Sequence, residues 1–168
     1  MKKRKQGLFL VEFAIIVVVL VIMLFGVIEL SRIIWVWNTA DEATRRGARV
    51  AAVCPINHTA VPEATIFAQA GSGGHSPILR GLTSANVEFS YLDLNGDPET
   101  TFSDIKFVRV ALVNYTLTPL IPFIDRTFTL PRFETTIPSE SLGLIPDPDN
   151  PTAAAVCGCY GTNTACQP

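Results

Sequence analysis

The sequence predicts an α+β chain: a long N-terminal helix, one short helix and a small antiparallel three-stranded sheet, with an irregular tail held by disulfides. Three observations predict it. A basic head, KKRKQG, is followed by the apolar run LFLVEFAIIVVVLVIMLFGVI from Leu8 to Ile28. Small residues then recur at three- and four-residue spacing as far as Val53, which is helical spacing. After Ala85 the pattern changes to the two-residue alternation of half-buried strands. The expected organisation is a basic leader at 1–7, a transmembrane helix at 8–37, an external α+β domain at 38–138 and a Pro- and Cys-rich tail at 139–168.

The apolar run comes first. At about 1.5 Å per residue it makes a helix about 31 Å long, the hydrocarbon thickness of a bilayer. Lys2, Lys3, Arg4 and Lys5 form a flank of the kind retained on the cytoplasmic side, so the rest of the chain is expected outside. A cleavable secretory signal has a core of about 7–15 residues ending in a small-residue site. Phe13 to Ile28 is uncharged throughout and no such site follows it. Glu12 does not suit a plain anchor, because a carboxylate at the bilayer centre costs about 2.5–3.5 kcal/mol and calls for a partner. A cut after Gly7 would make Leu8 a cationic α-amine and Glu12 the fifth residue. A neighbouring subunit shifted along its axis would then bring its own amine to that carboxylate.

The helix does not stop at Ile28. Glu29 and Arg32 stand three apart, on one face at the outer boundary, and Trp35 and Trp37 follow where an aromatic belt sits at the headgroups. Ala40, Ala43, Gly47, Ala48 and Ala51 make a narrow small-residue stripe, suited by default to close packing on the domain's own sheet and alternatively to helix-to-helix contact between subunits. One continuous helix from about Leu8 to Val53 is expected, stopped by Pro55. Gly26, in the lower half, permits close approach of helices or a local bend.

Asn57 to Ala70 reads as a loop and then a short helix, with Pro62 in its first turn and Gly71 after its last periodic residue. Gly71 to Pro77 reads as a linker. Strands are expected at about Ala85–Leu94, Asp104–Leu117 and Arg126–Ile137, the third carrying Pro131 as an edge or bulge position. Pro119-Leu120-Ile121-Pro122-Phe123-Ile124 is an apolar loop, expected near the membrane or the next subunit.

Composition sets limits on partners and compartment. The chain has 168 residues, enough beyond the span for one modest domain. Four of its 13 cations lie in residues 1–7; without them nine cations face 15 acids, a charge of −6. An acidic external face argues against nucleic acid or anionic membrane as its partner. Cys54, Cys157, Cys159 and Cys166 all fall outside, where an even count suggests disulfides. A Cys157–Cys159 bridge would close a very tight loop, so Cys54 is expected to join either Cys157 or Cys159, with Cys166 taking the other.

No enzyme chemistry is legible, and no metal or cofactor is called for. Ser139-Glu140-Ser141-Leu142-Gly143 lacks the leading glycine of a nucleophile elbow. His58 and His75 stand in loops without a paired acid. Asp93-x-Asn95-x-Asp97 faintly resembles a calcium loop, but Pro98 stands where the EF-hand needs Gly, and Asn95-Gly96 is a hairpin signal in its own right.

The basic leader, Gly7, Leu8 and a glutamate at the fifth mature position resemble a type IV prepilin processing site. Val11 to Ala52 more specifically resembles the TadE-like pseudopilins of the tight-adherence (Tad/Flp) pilus system. The residues that carry this are Val11-Glu12-Phe13-Ala14, Phe25-Gly26, Glu29, Arg32 and Ala43-Thr44-Arg45-Arg46-Gly47-Ala48-Arg49. Ser139–Gly143 and the strand pattern match only loosely. The resemblance implies a structural minor pilin, cut between Gly7 and Leu8 by a prepilin peptidase. Its partners would be other pilins or pseudopilins, an inner-membrane assembly platform and a cytoplasmic ATPase, and its role adherence, biofilm formation or secretion. The alternative is an uncleaved, signal-anchored external binding module.

Overall fold

The computed structural model describes residues 3–69, 73–119, 127–143, 156–159 and 162–165. Its helices are α1 (Lys3–Val53) and α2 (Ala60–Thr65); a 3-10 turn at Ser84–Asn86 precedes the strands. These are β1 (Val87–Leu92), β2 (Phe107–Leu112), β3 (Thr116–Leu117), β4 (Phe128–Thr129), β5 (Phe133–Pro138), β6 (Val156–Cys159) and β7 (Thr162–Ala165). The chain divides into two compact units, Met1–Trp37 with Thr118–Thr127, and Asn38–Leu117 with Phe128–Pro168.

The sheet of the second unit has the order β1-β2-β5, antiparallel throughout, with Val87 opposite Leu112 and Leu112 opposite Phe133. One face carries Phe89, Tyr91, Val108, Val110 and Ile137, which pack with Ala48 and Ala51 of α1 and with Val61 of α2. The helix comes this close because its inward residues are small: Ala40, Ala43, Ala48, Ala51 and Ala52 are all buried. Gly47 is the tightest point. A Cβ there would overlap Thr65 Oγ1 and stand 3.1 Å from Val110 Cγ1. Thr65 is fully buried and its hydroxyl donates to Val61 O at 2.7 Å, so it cannot turn aside without losing that bond. Thr44 completes the seam, its hydroxyl 2.8 Å from that of Thr135 on β5.

The C-terminal end of α1 is closed by residues 139–143. An α-helix leaves its last carbonyls without partners inside the helix. Here Glu140 N–H and Leu142 N–H both donate to Ala52 O, at 3.2 and 3.1 Å, and Ser141 Oγ donates to Val53 O. Gly143 has φ +88°, and a Cβ on it would lie 2.7 Å from Pro55 Cγ, so a side chain is excluded on both counts. Cys54, buried beside this closure, is disulfide-bonded.

Several expected elements have different bounds, each for a local reason. The second expected strand ends at Leu112 and resumes as β3, because Asn114 adopts φ 53°, which breaks the ladder. The third is split into β4 and β5 around Leu130-Pro131, since proline cannot donate to a ladder. Pro138 is accommodated at the end of β5. Ser139 N–H donates inward to Lys106 O, so the alternation of the ladder turns the Pro138 nitrogen outward.

The short helix ends at Thr65, not near Ala70. Ala68 N–H donates to Glu63 O and Phe67 N–H to Ala64 O, a Schellman closure with Phe67 at φ 60° where glycine is usual. The tail is not wholly irregular: β6 and β7 pair as an antiparallel hairpin from Val156↔Ala165 to Cys159↔Thr162. Two four-residue runs separated by the two residues Tyr160 and Gly161 are enough to form it. Gly71 and Ser72, Leu120 to Ile124 of the apolar loop, and Cys166 lie outside the described residues.

Two expectations follow. Gly47→Ala should destabilise the folded unit by about 1–3 kcal/mol through overpacking, measured by chemical denaturation of the full chain in detergent; an unchanged midpoint would contradict the seam described above. Tyr91 is buried, its hydroxyl accepts the Asn57 amide at 3.1 Å, and burial holds its pKa above the ordinary 10.0. The folded state thus favours the neutral phenol, and this contribution to stability is full below pH 10.0 and lost as pH rises further. Tyr91→Phe should flatten the decline in stability above that pH relative to wild type, while losing about 1 kcal/mol at neutral pH with the hydrogen bond.

Candidate functional site

The first unit holds the residues to which the sequence assigns function. From Phe9 to Ile28 the α1 side chains are exposed, apart from a half-buried Val17. This helix is the one among the described residues long and apolar enough to cross a membrane, and none of its most apolar stretch is buried within the chain. The exposure is a consequence of composition, since every turn is apolar on all sides and no single face can be turned toward a core.

Gly7 is exposed in helical backbone, with nothing within 4 Å of where a Cβ would stand, and Gly26 is equally open. Leu8 is helical in backbone, and its side chain lies outside those described. Glu12 is exposed and has no ion-pair partner among the described residues.

The outer end of the apolar stretch is built differently. Glu29 is only 8% exposed, an unusual state for a carboxylate unless it is paired. Arg32, one turn on, supplies the partner: Nη2 reaches Glu29 Oε1 and Nε reaches Oε2 at 3.3 Å. Arg32 Nη2 also donates to the Thr118 carbonyl at 2.7 Å. Thr118 belongs to this same unit although it lies 86 residues further along the chain. Sequence reasoning could not find that third member, because a backbone carbonyl carries no side-chain signal. Trp35 and Trp37 follow at 50% and 47% exposure. A neutralised acid–base pair topped by two exposed indoles is the arrangement expected where hydrocarbon gives way to headgroups.

In the second unit, Arg45 pairs with Asp41 at 2.7 Å on the exposed side of α1, and the Arg46 guanidinium lies 5.4 Å from the centre of the Phe67 ring. The charged residues of Ala43–Arg49 thus occupy the outer side while Ala43, Thr44, Gly47 and Ala48 are buried.

The residues weighed for other chemistry are engaged in turns. His58 Nδ1 accepts the Ala60 amide, and His75 bridges to Thr83. Asp93 Oδ1 accepts the amides of Asn95 and Asp97, and the Asp97 amide in particular holds the Asp93 carboxyl below its usual range. That carboxylate is occupied in shaping the Asn95-Gly96 turn. Among the described residues no cluster of His, Cys, Asp or Glu has the arrangement of a metal site.

Residues 7–49 match the model of the family described as TadE-like protein. The matched stretch is about a quarter of the chain and lies wholly within α1. It contains Gly7, Leu8, Glu12, Glu29 and Arg32, and it bears out the resemblance read from the sequence over this helix. No curated protein and no solved structure matches the chain.

Proposed function

We propose that this chain is a structural minor pilin or pseudopilin of a Tad/Flp-type pilus, held in the membrane by α1 and matured by a prepilin peptidase that cuts between Gly7 and Leu8. The observation that carries the reading is the division of the TadE-like segment within a single helix. From Phe9 to Ile28 it is apolar but for Glu12 and exposed but for a half-buried Val17, while from Ala40 onward its small residues Ala40, Ala43, Thr44, Gly47 and Ala48 are buried in a folded unit. A subunit stored in a membrane and later drawn into a filament needs both: an apolar helix with no partner of its own, and a folded unit that stays intact through the transfer.

On this reading residues 1–7 stay cytoplasmic and the domain beyond Trp37 is periplasmic or extracellular. The cationic amine created on Leu8 of the adjoining subunit gives Glu12 the ion-pair partner it lacks among the described residues. Burial of apolar helix surface against other pilins drives assembly, which an inner-membrane platform and a cytoplasmic ATPase power. The chain acts as a structural component and not as an enzyme. Cys54 bridges to Cys157 or Cys159, with Cys166 taking the other, so that the tail is fastened beside the closed end of α1.

Intact mass measurement of the chain co-expressed with its prepilin peptidase should show loss of Met1 to Gly7. A retained Met1 in cells with an active peptidase would support the uncleaved binding module instead. In the same cells Glu12→Ala should leave membrane insertion unchanged and reduce incorporation roughly tenfold or more, since a charge-assisted hydrogen bond is worth about 1.5–3 kcal/mol. Undiminished incorporation would show that the carboxylate has no part in assembly.

A further inference from the structure

The guanidinium of Arg32 is only partly used. An arginine has five N–H donors in a fixed fork. Nε and Nη2 are taken by Glu29 and the Thr118 carbonyl, and neither contact engages Nη1. The Arg32 side chain is 23% exposed, so it has a path outward. The carboxylate that holds one edge of the fork fixes its plane and leaves the Nη1 edge facing away from the pair.

Depth decides what that edge meets. With Leu8 at the inner limit of the hydrocarbon, the Arg32 Cα lies about 36 Å along the axis, at about 1.5 Å per residue. The hydrocarbon layer is about 30 Å thick, and about 40–45 Å with the headgroups included. Arg32 therefore stands about 5 Å or more beyond the hydrocarbon, at the level of the lipid phosphates, one turn below Trp35. Two N–H groups at that depth face water and phosphodiester oxygens, and of these the anionic phosphodiester makes the stronger, charge-assisted bonds to a guanidinium.

We infer that Arg32 Nη1 binds the phosphodiester of a phospholipid headgroup, making Glu29 and Arg32 a built lipid site at the outer boundary of the span. Glu29 acts as the positioning residue. Its charge cancels most of the long-range attraction of Arg32, so the contact depends on directed N–H···O bonds more than on net charge, and it does not require an anionic headgroup. Extraction of the subunit from the bilayer breaks this contact. The inference rests on the membrane span proposed above and is independent of the cut after Gly7.

The test is native mass spectrometry of the full chain released from micelles containing phosphatidylglycerol. Wild type should hold the lipid roughly tenfold more tightly than Arg32→Gln, the loss of one charge-assisted bond. Arg45→Gln, which removes a guanidinium paired with Asp41 elsewhere, should leave the affinity unchanged. Equal lipid affinities for wild type and Arg32→Gln would overturn the inference. So would the same loss measured with diacylglycerol, which lacks phosphate, or displacement of the lipid by inorganic phosphate at equal concentration. If Arg32→Gln does not fold, the wild-type protein decides: in phosphatidylglycerol bilayers, labelled Arg32 Cζ should show dipolar dephasing by lipid phosphorus, and its absence would refute the contact. Failure of the span itself would be distinguishable, because the chain would then be recovered outside the membrane fraction.

Discussion

The absence of a side chain at Gly47 is the constraint on which the folded unit depends. Helix and sheet approach there until α1 backbone touches Thr65 of α2 and Val110 of β2, and no residue larger than glycine fits. Everything around that point follows from the short distance. Alanines line the seam because longer side chains would hold the helix away. Thr44, whose hydroxyl donates to Asp41 O, also meets Thr135 hydroxyl to hydroxyl, so the seam supplies Thr135 with a polar partner. The apolar area lost by using small residues on the helix is recovered by Phe89, Tyr91, Val108 and Val110 on the sheet, which reach across to fill the space.

That arrangement leaves the two ends of one helix with opposite requirements. Beyond Asn38 its inward face is consumed in a core, and its last carbonyls are closed by residues 139–143. From Phe9 to Ile28 it is exposed apart from Val17, and Glu29, the buried polar side chain among the described residues before Trp37, is neutralised by Arg32. The charge pair and the two tryptophans that follow stand where the apolar stretch gives way to the small-residue stretch. A helix that is apolar enough in one half to cross a membrane and is the spine of a folded unit in the other needs two side-chain patterns, because a single one cannot satisfy both surroundings.

The sequence made these halves legible for a simple reason: an apolar run and a small-residue stripe are both periodic signals within one element. The Glu29–Arg32 spacing was legible for the same reason. What could not be read depends on contacts distant in sequence or on single dihedral angles. The Thr118 carbonyl on Arg32 has no side-chain signature. Asn114 at φ 53° and the Leu130-Pro131 step cut the second and third strands into pieces, although the alternation of apolar residues runs on through both. Phe67 takes the position that usually calls for glycine, so the end of α2 was displaced from the Gly71 signal. Ser139–Gly143 stood out as a motif, but its amides and hydroxyl, which close the end of α1, carry no pattern of their own. The β6–β7 hairpin was hidden by a composition of small and polar residues that resembles an irregular tail.

The central claim is that α1 from Asn38 to Val53 is an integral part of the folded unit, sharing its stability and not merely leading into it. Hydrogen exchange of the full chain in bilayers measures this directly. Amides of Thr44 to Ala52 should exchange with the same opening free energy as those of β2, because the seam at Gly47 lets neither open alone. Fast exchange in that stretch of α1, with β2 still protected, would mean that the sheet is stable without the helix and would contradict the account.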